Sequence, residues 1–115
     1  RIAKARLQID TALVFARQIG DTLDAYADRG ESPDTLMRTR MRAETGWISD
    51  NLQQAVDSLL TVHGSAAFAE ANPIQRFWRD LEVAGRHALI LPDVGYELYG
   101  RSLLGRPADA VSPLI

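Results

Sequence analysis

The stretch "NPIQRFWRDLEVAGRH", Asn72 to His87, decides how this chain is read. Asparagine followed by proline is a helix start: Asn72 can accept from free amides, and Pro73 suits the first turn. Apolar residues then recur at Ile74, Phe77, Leu81, Ala84, Ala88 and Leu91. Gaps of three and four place them on one stripe, so the spacing predicts a helix over 73–91. At ~100° per residue, Arg76, Asp80 and His87 project within about 40° of one another, along a polar edge of that stripe. Arg79 and Arg86 lie one step further round. The edge has two readings. An arginine four residues before an aspartate is a common surface pair, contributing only ~0.3–0.5 kcal/mol, and a lone histidine beside a packed face is commonly structural. In the sharper reading Arg76 and Asp80 order the edge while His87 faces a pocket, where imidazole can donate a hydrogen bond or move a proton near neutral pH.

Upstream, Ile2, Ala5, Ile9, Ala12, Ala16, Ile19, Leu23 and Tyr26 follow the same three-and-four rhythm and predict a helix over 2–28. Gly30 can take the left-handed conformation that ends it. Ser32 and Pro33 read as the cap and first turn of a second helix over 33–63, with Asp34 placed where the dipole favours an anion. Its seam is Met37, Met41, Ile48, Leu52, Ala55, Leu59 and Val62. Gly46 lies mid-helix at a cost of ~1 kcal/mol against alanine, which suggests a close neighbour. Trp47 and Trp78 read as core or interface anchors. His63 sits before Gly64 at a helix end, where capping is its expected role. After Pro92 a short helix over 93–104 follows, and the tail "RPADAVSPLI" reads as irregular and mobile.

The periodicity therefore specifies an all-α fold: an antiparallel, up-down helical bundle in a single domain over 1–115. The net charge of -2 argues against nucleic-acid binding, and the absence of cysteine excludes disulfides and thiol chemistry. No apolar run nears the ~20 residues that span a bilayer. Two separated histidines without clustered carboxylates make a poor metal site. A cytoplasmic location fits the lack of cysteine. The chain opens at Arg1, inside a helical pattern with no cap before it, and so reads as part of a longer protein.

The segment "HGSAAFAEANPIQRFWRDLEVAGRHALILPDVGYELYGRSLLG", from His63 to Gly105, resembles the C-terminal domain of the acyl-CoA dehydrogenase superfamily. It is most similar to the two-component flavin-dependent monooxygenases, a branch that includes the oxygenase of 4-hydroxyphenylacetate hydroxylase. The likeness rests on the turn at Gly64, the "QRFWRD" run, a histidine seven residues after Asp80, and "YELYGRSLLG". It implies an enzyme that uses reduced FMN or FAD and oxygen on an aromatic or hydrophobic small molecule. It further implies a separate flavin reductase and a homotetramer assembled through these bundles. His87 maps onto a histidine beside the flavin ring that assists oxygen chemistry or proton transfer. Gly64 and Ser65 map onto a double-glycine turn that contacts the flavin's phosphate region, with serine replacing the second glycine. Arg79 and Asp80 match a pair that is structural in the family. The first bundle helix would precede this chain, and an isolated chain of this length would be inactive.

Two alternatives stay open. Acyl-CoA dehydrogenases carry a "YEGT"-like segment, often with a catalytic glutamate, soon after the Arg-Asp pair. This chain has "AGRHALILPD" there, and Glu82 is misplaced for that role. The other is a helical oligomerisation module without chemistry, favoured by long apolar seams that need partners.

Overall fold

The computed structural model describes residues 1–113, and Leu114 and Ile115 at the end of the tail lie outside the described residues. Four helices form: α1 (Ile2–Asp28), α2 (Thr35–His63), α3 (Ile74–Ala84) and α4 (Pro92–Leu103), with a short 3₁₀ turn at Ser65–Phe68. No strand forms among the described residues. The all-α bundle read from the periodicity is the fold observed.

α2 is the hub. α1, α3, α4 and the 3₁₀ turn all pack on it, whereas the backbones of α1, α3 and α4 do not approach one another. Gln8 on α1 donates from its amide to Gln54 on α2 at 3.1 Å. Gly85, just past α3, abuts Ser49 and Gln53, Pro92 abuts Gly46, and Gly95 of α4 abuts the backbone of Arg42 and Ala43. Residue numbers rise on each partner as they fall along α2, so all three helices run antiparallel to it. α3 covers the C-terminal half of α2 and α4 the N-terminal half. Together they form a third row, broken by the turn over 85–91.

The caps explain where the elements start and stop. Gly30 has φ 66°, its N–H bonds to the Ala27 carbonyl, and the Glu31 N–H reaches Tyr26. This paired pattern closes α1 through a left-handed residue, as expected. α2 starts two residues later than the sequence suggests: Asp34, in extended conformation, is the cap, and its carboxylate accepts from the Met37 N–H at 2.8 Å. Ser32 is not the cap. At α3, Asn72 Oδ1 accepts from the Ile74 N–H at 3.1 Å, with Pro73 leading in as anticipated.

The largest departure is the end of α3. It stops at Ala84, seven residues before the expected Leu91. Gly85 follows the last helical residue, and the Arg86 and His87 N–H groups tighten to the Val83 and Ala84 carbonyls as the helix closes. Pro92 acts only at the far end of the turn, where Leu91 takes ψ 118° before α4. His87 therefore leaves the helix, and the shared edge with Arg76 and Asp80 dissolves.

The core is made mostly of small residues. Ala5 and Ala12 of α1 and Thr39, Ala43, Gly46, Ser49 and Ala55 of α2 are buried beside Gln8 and Leu60, whereas Met37, Met41, Ile48, Leu52 and Leu59 are only half-buried and Val62 is exposed. Small side chains let helix backbones approach, and Leu98 of α4 fills the contact as the largest fully buried side chain. The Thr39 hydroxyl is satisfied within α2, donating to Thr35 and Leu36 carbonyls. Ile2, Ala16 and Leu23, assigned to the α1 seam, are exposed. The tail over 106–113 is irregular but places Ala108 in the interior.

Candidate functional site

The turn over 85–91 carries His87, and three features of α2 seat it. Gly85 enters the turn so close to α2 that a Cβ there would stand 1.7 Å from the Gln53 amide nitrogen. That nitrogen is itself bonded to Ser49 Oγ at 3.1 Å. In the middle of the turn the Arg42 guanidinium donates to the Leu89 carbonyl at 2.6 Å and to the Ala88 carbonyl at 3.1 Å. At the exit Pro92 lies against Gly46.

Within the turn, the His87 carbonyl accepts from the Ile90 and Leu91 N–H groups. Its ring Nδ1 accepts from the Leu89 N–H at 3.2 Å. A ring nitrogen that accepts carries no proton, so the neutral ring holds its proton at Nε2. The side chain is exposed, and Nε2–H is left as a donor at the surface. Beneath the turn, a cleft of about 190 Å³ is lined by residues including Ile48, Leu52, Leu81, Ala84 and Ile90. His87 does not line it.

The other expected site residues lie elsewhere. Gly64 ends α2 with φ 81° and ψ -167°, and Ser65 opens the 3₁₀ turn; both are exposed. Gly64 lies fifteen positions beyond Ser49, which abuts the His87 turn. At ~1.5 Å per residue that is roughly 20 Å along the axis, so one chain does not bring Gly64 and Ser65 to His87. His63 sits at the helix end but bonds no helix carbonyl there: the Asn72 side-chain amide donates to its Nε2 and, at 3.4 Å, to the Ala66 carbonyl, and the cap of α2 is the Gly64 N–H on the Leu60 carbonyl.

Arg76, Arg79 and Asp80 are exposed, and no ion pair joins Arg76 to Asp80 among the described residues. Glu82 instead pairs with Arg86 at 2.6 Å. Trp78 packs edge-on to Phe68, with ring centroids 5.8 Å apart. Trp47 is half-exposed in a groove of about 410 Å³ between α1, α2 and α4, shared with Phe15, Tyr96, Tyr99 and the Arg40–Glu44 pair. Burial and the nearby Asp50 and Asp93 carboxylates push the Tyr96 phenol above its usual value. Among the described residues no group of three potential metal ligands forms, and no helix is long and apolar enough to cross a membrane.

The model of the acyl-CoA dehydrogenase C-terminal domain matches residues 1–92. The chain belongs to that family. The oxygenase subunit HsaA of a flavin-dependent monooxygenase from Rhodococcus jostii (strain RHA1) is 34% identical over 109 residues, covering 93% of this domain and 28% of the relative. The oxygenase component of p-hydroxyphenylacetate 3-hydroxylase from Acinetobacter baumannii is 36% identical over 109 residues, covering 95% and 26%. Among solved structures, XiaF from Streptomyces sp., in complex with FADH2 and glycerol, superposes with TM-score 0.89 at 37% identity, covering 92% of this domain and 27% of that chain. HsaA from M. tuberculosis gives TM-score 0.78 at 31% identity, covering 91% and 27%. The domain thus spans about 28% of the length of the first of these relatives.

The residues present suit a flavin. His87 offers an exposed donor whose tautomer is fixed by the turn. A Cβ built on Gly64 meets nothing within 4 Å, so the chain is open to an approaching group at that turn. Arg42, Ser49 and Gln53, which seat the His87 turn, were not visible as site residues in the sequence.

Proposed function

We propose that this chain is the C-terminal helical domain of the oxygenase component of a two-component flavin-dependent monooxygenase. The observation that carries the reading is the close likeness, over nearly the whole chain, to a structure that holds FADH2. The named relatives are likewise oxygenase subunits or components. Reduced FMN or FAD, when bound, supplies the electrons that activate oxygen for insertion into an aromatic or hydrophobic small molecule. A separate reductase provides it in that form. His87 is the residue of this chain that stands beside the flavin ring. Its Nε2–H donates a hydrogen bond toward the reacting oxygen and can pass a proton there.

Gly64 and Ser65 contact the flavin's phosphate region. They lie roughly 20 Å from the His87 turn along α2, so Gly64 and Ser65 would hold the phosphate end of the group and His87 would stand at its ring. A homo-oligomer, tetrameric in this reading, fits the exposed apolar residues Leu7 and Val14 on α1 and Phe77 and Val83 on α3. A cytoplasmic location belongs to the same proposal. Dehydrogenation of an acyl-CoA is disfavoured, since Glu82 is held by Arg86 and no glutamate stands in the turn.

The test is anaerobic titration of the full-length protein with reduced flavin, followed by hydroxylation assays of wild type and His87→Ala. The expected result is reduced-flavin binding in both and a hydroxylation rate lowered on the order of 10²-fold in the variant. A full-length protein that binds no flavin overturns the reading and leaves the oligomerisation module as the better account.

A further inference from the structure

Arg42 is a charged side chain used in an unusual way. It projects from α2 and is half-buried, yet it joins none of the ion pairs among the described residues. Its fork donates instead to two consecutive backbone carbonyls, Leu89 O at 2.6 Å and Ala88 O at 3.1 Å. No backbone N–H reaches either carbonyl among the described residues. Both carbonyls lie in the turn between α3 and α4, outside any helical ladder. The third donor, Nε, is buried without a partner. Burial also pushes the guanidinium below its ordinary value. Arginine suits this place because its planar fork presents donors in a fixed geometry to two carbonyls, whereas lysine offers a point charge without that geometry.

The two carbonyls flank the atom that sets the His87 ring. The Ala88–Leu89 peptide accepts from Arg42 through the Ala88 oxygen and gives the Leu89 N–H that bonds His87 Nδ1, and the Leu89 oxygen on the next peptide takes the other arm of the fork. We propose that Arg42 is a positioning residue for His87: it fixes the 88–89 segment so that the Leu89 N–H holds Nδ1 and the proton stays on Nε2. The inference rests on the monooxygenase reading for its consequence in catalysis, but its structural half is separable. Loss of the fork frees the 88–89 segment, and the ring then samples both tautomers and several orientations.

The test uses the full-length enzyme with Arg42→Met, which keeps an apolar stem, and Arg42→Lys, which keeps the charge. Histidine labelled with ¹⁵N reports the ring directly, with the His87 signals assigned by their disappearance in His87→Gln. Wild type is expected to show one neutral tautomer protonated at Nε2, Arg42→Met a mixture, and Arg42→Lys an intermediate state. Hydroxylation is expected to fall about tenfold in Arg42→Met while the affinity for reduced flavin changes less than threefold. On a His87→Ala background Arg42→Met should cause no further loss, because a residue acting through His87 has nothing left to position. A merely structural defect would instead lower both backgrounds equally. If Arg42→Met fails to fold, Arg42→Lys carries the same comparison. Unchanged ring signals in the arginine variants, or equal losses on both backgrounds, overturn the proposal even where His87→Ala is impaired. A full effect on the ring with no effect of His87→Ala on hydroxylation would instead overturn the catalytic reading and leave the positioning of the ring standing.

Discussion

Replacing Gly46 by alanine sets two effects against each other. Glycine inside a helix costs about 1 kcal/mol relative to alanine, so propensity alone predicts that Gly46→Ala stabilises α2. The structure opposes this. A Cβ on Gly46 would stand 2.8 Å from the Pro92 Cα, with the Pro92 carbonyl oxygen at 3.4 Å. Carbon atoms pack at ~3.5–4.0 Å, so Pro92 must retreat by about 0.7 Å. Pro92 is backbone, anchored as the first residue of α4, and cannot swing aside as a flexible side chain does. Overpacking of this kind costs ~1–3 kcal/mol. The net expectation is destabilisation of about 0–2 kcal/mol. Gly20 is the control, because it lies inside α1 and an added Cβ there meets nothing within 4 Å. Gly20→Ala should stabilise by ~0.4–1 kcal/mol. Urea unfolding followed by circular dichroism gives both values, and their difference, about 1–3 kcal/mol, isolates the packing of Pro92 on α2. Amide exchange should also quicken within 85–91 in Gly46→Ala alone. Equal stabilisation by the two substitutions would refute the seat for Pro92, and with it the explanation of where the His87 turn is held.

The remaining expectations use the same physics. Asp34→Ala removes the acceptor of the Met37 N–H and should cost about 1 kcal/mol by urea unfolding, whereas Ser32→Ala should cost far less. Gly64→Ala has open space around it but a backbone at φ 81° and ψ -167°, nearly exclusive to glycine, so a loss of ~1–3 kcal/mol from strain alone is expected in the same assay. Tyr96 is raised by burial and by Asp50 and Asp93, so the folded state favours the neutral phenol. Its contribution to stability is then full below pH ~10 and is lost as pH climbs through the raised value. Alkaline absorbance titration should show one tyrosine ionising late, and Tyr96→Phe should abolish that late step and flatten the loss of stability.

Some of this molecule is written in short-range sequence. The helical periods, the glycine exit at Gly30 and the Asn72-Pro73 entry to α3 depend on neighbours within a turn or two, and each took the form its residues specify. The resemblance built on the "QRFWRD" run, with a histidine seven residues after Asp80, placed the family for a similar reason: it depends on residue types at fixed spacing. Other features escaped. The apolar seam drawn along α2 chose Met37, Met41 and Ile48, but the contact selected Thr39, Ala43, Gly46 and Ser49, because close helix approach rewards small side chains over large ones. The polar edge of Arg76, Asp80 and His87 assumed a helix to Leu91, but α3 closes at Gly85.

By itself, the sequence determined that the chain is helical, where most helices begin and end, and which family it joins, since these follow from local hydrogen bonding, apolar spacing and residue types. Only the tertiary structure decided that α2 is the hub, that α3 and α4 form one broken row, and that His87 stands on a turn held by Arg42. That last contact joins residues 46 and 47 positions apart. No local rule couples such residues, and the side chain that satisfies a stranded carbonyl is fixed only when two helices meet.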